Sequence, residues 1–264
     1  MALILQDVLV VIEQLIRAGA DLNAHIQNGW APLHFIAHCE QMSVVTETVT
    51  DRSIRSKAAE LLLQHGADPN VTTFRDKRTP LHLAACSASS DIAVQLVRAG
   101  ANIHAKDRCG WTALHLASGE EPGYWARPRM RSESCVQVQS RFEHIVQLLL
   151  CAGADPNVTN VSGHAPLHNA ASSGHVGAVR RLLASPEIEP DVTTESGNTP
   201  MHCIALSAVD NNLVIQIVKL LVMAGASVSD LAIFFDYRPE LAIVVKECGR
   251  WNRRKAWLAA IASK

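Results

Sequence analysis

Thr79-Pro80-Leu81-His82 decides the fold, because the phrase recurs. It returns as Ala31-Pro32-Leu33-His34, Thr112-Ala113-Leu114-His115, Ala165-Pro166-Leu167-His168 and Thr199-Pro200-Met201-His202. Each position has a physical role. Threonine at a helix N-cap accepts a backbone N–H, and proline at the first helical position lacks an N–H that would have no partner there. The leucine enters a core, while the histidine can bond back to the cap and tie one unit to the next. The phrase predicts one short helix per copy.

A second phrase alternates with the first. It reads Gly19-Ala20-Asp21-Leu22-Asn23, Gly66-Ala67-Asp68-Pro69-Asn70, Gly100-Ala101-Asn102, Gly153-Ala154-Asp155-Pro156-Asn157 and Gly225-Ala226-Ser227. Glycine here closes a helix, where a positive φ is needed, and Asp-x-Asn is turn chemistry. Just ahead of these closures runs an apolar stripe with i, i+3, i+4 spacing: Ile12/Leu15/Ile16, Ala59/Leu62/Leu63, Ala93/Leu96/Val97, Val146/Leu149/Leu150, Val179/Leu182/Leu183 and Val218/Leu221/Val222. That spacing is one face of a second, amphipathic helix. Leu81 to Gly100 is 19 residues and Gly100 to Leu114 is 14, so the period is 33.

These residues resemble the ankyrin-repeat family, whose 33-residue unit carries Thr-Pro-Leu-His-x-Ala. The resemblance covers roughly residues 3–229. It implies an all-α solenoid of stacked hairpin–helix–helix units, with protein–protein recognition on the hairpin tips and the concave face. Residues 1–264 then form a single ankyrin-repeat domain. Residues 1–28 supply an N-terminal half-unit, 29–229 five anchored repeats, and 230–264 a divergent C-terminal cap. Such a half-unit start leaves open that the chain is part of a longer array.

Departures from the period locate the insertions. Leu33 to Gly66 spans 33 residues, an excess of 14, and Leu114 to Gly153 spans 39, an excess of 20. With the half-unit counted first, these fall between the two helices of the second and fourth units. Part of each lengthens the second helix, and Asp51 can cap one running to Leu63. In the fifth unit Ala184-Ser185-Pro186 replaces the glycine closure. Ala31 and Ala165 replace the capping threonine, a loss on the order of 1 kcal/mol each.

Composition fits thin helical layers. Of 264 residues 48 % are hydrophobic but only 5 % aromatic, and the net charge is −1. That balance gives no electrostatic footprint for nucleic acid. No uncharged apolar run reaches the length of a membrane span, and no basic segment precedes Asp7, so neither a span nor a secretory leader is expected. Seven cysteines without paired spacing suit a reducing compartment, the cytoplasm or alternatively the nucleus.

Twelve histidines invite a metal or catalytic reading. Five of them, His34, His82, His115, His168 and His202, hold one repeat position, where a structural hydrogen bond is expected, as a structural turn is expected of Gly19, Gly66, Gly100, Gly153 and Gly225. The other histidines lack ligand spacing. No phosphate-binding or nucleophile motif is present, so no enzyme, metal or cofactor is expected. Asn70 and Asn157, each eight residues after a leucine (Leu62, Leu149), resemble ankyrin asparagines used by an asparaginyl hydroxylase, but bonding to the hairpin backbone accounts for them.

The candidate binding residues lie on the hairpin tips, just before each cap: Trp30, Arg78, Trp111, His164 and Asn198. Tryptophan and arginine are common interface anchors, and the alternative is that each indole packs on its own hairpin. The fourth-unit insertion adds Tyr124, Trp125, Arg127 and Arg129, which form either a contact loop or a solvated one. The segment 250–258 is basic and amphipathic, which suits a capping helix. These features point to a non-catalytic scaffold or adaptor, monomeric, with a protein partner. A regulatory subunit acting on an enzyme in trans is the alternative.

Overall fold

The computed structural model describes residues 2–38, 49–119 and 134–227. Among these, all regular secondary structure is helical. The first-type helices are α2 (Pro32–Ala37), α4 (Pro80–Cys86), α6 (Ala113–Ser118), α8 (Pro166–Ser172) and α10 (Pro200–Leu206). Each starts on the recurring phrase. The second-type helices are α1 (Ala2–Arg17), α3 (Val49–Gln64), α5 (Ser90–Arg98), α7 (Ser134–Cys151), α9 (Val176–Leu183) and α11 (Asn211–Met223).

Local chemistry sets these limits. The Thr79 and Thr199 hydroxyls accept the N–H of His82 and His202 at 3.5 Å, and proline follows at the first position. Ala31 and Ala165 hold the same extended backbone but bring no side-chain bond. The five closure glycines all have positive φ, from 75° at Gly19 to 100° at Gly225. In the fifth unit the place after the C-cap of α9, glycine elsewhere, holds Ser185 without a positive φ, so that turn is made without a left-handed residue.

The insertions extend second helices. With 16 and 18 residues, α3 and α7 exceed the nine of α5 and eight of α9. One expectation is corrected: α3 begins at Val49, so Asp51 lies inside its first turn and is not the cap. The inserted residues upstream are longer in helix than a cap at Asp51 allowed. The rest of the fourth-unit insertion, residues 120–133, and the C-terminal segment from 228 lie outside the described residues.

Two compact units are present. In unit 1 (1–117 with 151–154), α2 packs on α3 and α4, α4 on α5, and α3 on both α1 and α5. Leu33, Leu62, Leu81, Leu83 and Leu96 fill its interior, interleaved with alanines that let helices approach closely. In unit 2 (118–150 with 155–264), α8 packs on α9 and α10, and α11 on α9 and α10. Leu149, Leu167, Leu182, Met201 and Leu221 are buried there. Each fully buried leucine contributes about 2 kcal/mol of transfer free energy.

Candidate functional site

The hairpins are built by the repeat's own polar groups. In unit 1 the N–H of Ala31 donates to His34 Nδ1 at 3.0 Å, and that of Thr79 to His82 Nδ1 at 3.1 Å. Because Nδ1 accepts, the ring proton sits on Nε2. It therefore donates to the next hairpin: His34 to the Arg78 carbonyl and His82 to the Trp111 carbonyl, both at 3.0 Å. In unit 2, His168 accepts from Ala165 N–H and donates to the Asn198 carbonyl, again at 3.0 Å each. His115 and His202 accept from Thr112 and Thr199 in the same way, at 3.2 and 3.4 Å. Burial pushes His82 and His168 down to about 4, and it lowers His34 as well.

Asparagines form a second set of ties. Asn70 donates to the Gly100 carbonyl at 3.3 Å and accepts the Asn102 N–H at 2.6 Å. Asn157 donates to the Glu187 carbonyl at 2.6 Å and accepts the Glu189 N–H at 2.9 Å. Both amides clamp the backbone of the following hairpin.

The five residues before the caps separate into two groups. Arg78 and Trp111 turn inward, at 4 % and 7 % exposure, which corrects the expectation that they offer side chains to a partner. Arg78 Nε meets Asp107 Oδ2 at 3.2 Å, with both side chains buried. Asp107 Oδ1 also accepts the N–H of Cys109 and of Trp111, at 2.9 Å each, and Trp111 lies edge-on to His115. The physical reason is Asp107, whose carboxylate pairs with the Arg78 guanidinium and accepts the Trp111 N–H, so that both residues are drawn into the interior. Trp30, His164 and Asn198 remain half-buried. The Trp30 ring packs on Phe35 and His38, with centroids 5.0 and 5.3 Å away, and His164 is edge-on to His168. Tyr124, Trp125, Arg127 and Arg129 lie outside the described residues.

Exposed apolar side chains at the tips went unread in the sequence. Phe74 is 66 % exposed and Ile26 52 %, both on unit 1 hairpins. Phe74 stacks on His25 with ring centroids 5.0 Å apart. A signal existed. Gly66 to Leu81 spans 15 residues where Gly19 to Leu33 spans 14, and that hairpin lacks the glycine its relatives carry two residues before the cap. Gly29, Gly110, Gly163 and Gly197 stand there with φ of 75–79°, but the second hairpin has Lys77 with φ 53°. Left-handed backbone costs a non-glycine residue about 1 kcal/mol, so the lysine is held there at the expense of stability.

The family model described as ankyrin repeats matches in three copies, over residues 1–107, 52–124 and 135–231. The chain belongs to the ankyrin-repeat family. Among curated ankyrin relatives, the human Ankyrin repeat and SOCS box protein 16 is 30 % identical over 174 residues, covering 65 % of this chain and 32 % of that protein. The mouse NF-kappa-B inhibitor delta is 30 % identical over 174 residues, covering 60 % and 47 %. Protein fem-1 homolog A of Danio rerio is 35 % identical over 102 residues, covering 39 % and 16 %. The chain thus spans less than half the length of each. Ankyrin repeats generally mediate protein–protein interaction. Among the described residues, no helix is long and apolar enough to cross a membrane.

Proposed function

We propose that this ankyrin chain is a non-catalytic scaffold or adaptor that binds a protein partner through its hairpin tips and the concave face implied by repeat stacking. One observation supports this most. The repeated histidines and asparagines are consumed by backbone ties within and between neighbouring repeats, while three of the five residues that vary before the caps, Trp30, His164 and Asn198, keep some exposed surface. A rigid frame with variable tips suits recognition by a few anchors. Trp30, His164 and Asn198 are the proposed contact residues among those described. Tyr124, Trp125, Arg127 and Arg129 are proposed on sequence alone. The chain is further proposed to work as a monomer in the cytoplasm, or alternatively the nucleus, without a cofactor.

A second reading, regulation of an enzyme or other effector in trans, is supported by similarity to a mouse protein whose name contains "inhibitor". Cross-linking mass spectrometry on the full chain with its co-purified partner tests both. Cross-links concentrated on the hairpins, and binding weakened at least fivefold by Trp30→Ala at a temperature where circular dichroism shows the variant still folded, are expected. A partner attached away from the hairpins overturns the tip assignment. One stoichiometric partner with an activity altered by the chain selects the regulatory reading.

A further inference from the structure

Three successive hairpins of unit 1 form one connected tip surface. Gly29 on the first lies directly against Phe74 on the second, close enough that a Cβ there would strike the Phe74 backbone and ring. The Arg108 N–H on the third donates to the Asp76 carbonyl on the second at 2.9 Å, and its guanidinium reaches the Arg75 carbonyl at 3.4 Å. Exposed side chains on this surface are Ile26, Phe74, Arg75, Lys77, Lys106 and Arg108. Acidic character at the tips is sparse: Asp76 is half-buried and Asp107 is buried against Arg78, while the exposed Asp21 and Asp68 stand at the bases of the first two hairpins, just after the closure glycines. The chain as a whole is at −1, so this basic surface is a local concentration of charge. The hairpin segments 155–165 and 186–199 of unit 2, taken by themselves, contain no lysine or arginine.

Lys77 is the second observation. It occupies the left-handed position that four sister hairpins give to glycine, and Phe74, three residues before it, is exposed. Backbone strain of this kind clusters at ligand clamps and binding sites. We infer that this surface docks an acidic protein segment whose carboxylates meet Arg75, Lys77, Lys106 and Arg108 and whose apolar side chain lies against Phe74 and Ile26. Charge complementarity selects and steers such a segment, and the exposed phenyl ring provides the apolar anchor. Four cations without a continuous basic track suit a short acidic peptide better than a polynucleotide, whose binding rests on many phosphate contacts. The inference deepens the binding-module reading and depends on it.

The test uses the full chain and three fluorescein-labelled probes. They are a nine-residue peptide of Glu and Asp around one central Phe, its lysine counterpart, and a nine-nucleotide oligo-dT. The acidic peptide is expected to bind at least tenfold tighter than either of the others and to weaken severalfold between 50 and 200 mM salt. Arg75→Glu with Arg108→Glu should abolish binding, and Phe74→Ala should weaken it about fivefold, with circular dichroism unchanged because these side chains are exposed. Lys77→Gly should weaken binding about threefold while raising the melting temperature, an opposition that misfolding cannot produce. Equal binding of the acidic and lysine peptides, tighter binding of oligo-dT, or full binding by the double charge reversal overturns the proposal. Cross-linking of the co-purified partner separates the two readings. Cross-links away from 26, 74–77 and 106–108, with no acidic-peptide binding, sink this surface alone, whereas a chain that binds no protein sinks the module reading with it.

Discussion

Each phrase histidine uses Nδ1 to hold its own cap, and in His34, His82 and His168 the opposite nitrogen ties down the next hairpin. The tie fixes the backbone before a cap, but where the side chain there goes depends on its neighbours in space. Arg78 has the composition of an interface anchor, yet it sits beside Asp107 in the interior of unit 1. Removing the carboxylate would leave a buried guanidinium without its ion-pair partner and free the N–H of Cys109 and of Trp111. Asp107→Ala is therefore expected to destabilise by about 3–5 kcal/mol in urea unfolding. A cost below about 1 kcal/mol would mean that the pair is solvated. That Arg78 is used inside was illegible in the sequence, because Arg78 and Asp107 are 29 residues apart and nothing local links them.

Helix placement, by contrast, was legible. Every recurring phrase starts a first helix and every stripe lies on a second, since capping and 3.6-residue periodicity act within a few residues of chain. What neighbouring helices do to a given stripe position is another matter. Leu15 and Leu96 hold the same place in their stripes, yet Leu96 is fully buried and Leu15 is 52 % exposed. In α5 that face is covered by α4, its own first helix, whereas α1 packs on α3. Leu96→Ala should cost about 3 kcal/mol, cavity included, and Leu15→Ala about 1 kcal/mol or less. Chemical denaturation of the two variants compares them directly, and equal losses would show that α1 is as well covered as α5. The start of α3 was misread for a related reason: Asp51 is a good cap by type, but Val49 and Thr50 upstream already belong to the helix.

At the scale of the whole molecule, the repeated ties give a shared response to acid. An unfolded histidine titrates near 6.5, whereas His82 and His168 titrate at about 4 when folded. Between those values the unfolded chain takes up protons that the folded chain refuses. The stability these two neutral rings contribute is therefore complete above about pH 6.5, declines as the pH falls toward 4, and levels off below it. Each of the two accounts for a loss on the order of 3 kcal/mol across that window, at about 1.4 kcal/mol per pH unit. Calorimetry at pH 7.5 and 5.0 should show a lower melting temperature at the acid value, with a smaller difference in His168→Gln. A melting temperature independent of pH would rule out neutral buried rings.

By itself the sequence determined the repeat, its period, the helix type at each position and the location of the insertions. These follow from interactions between residues close along the chain, which the 33-residue spacing repeats. Only the tertiary structure decided which hairpin residues face inward and which meet solvent. Histidine ties reach 29–44 residues along the chain to the next hairpin, and Asp107 draws Arg78 inward from 29 residues away. Side-chain exposure at a tip is fixed by its neighbours in space, and local spacing does not encode them.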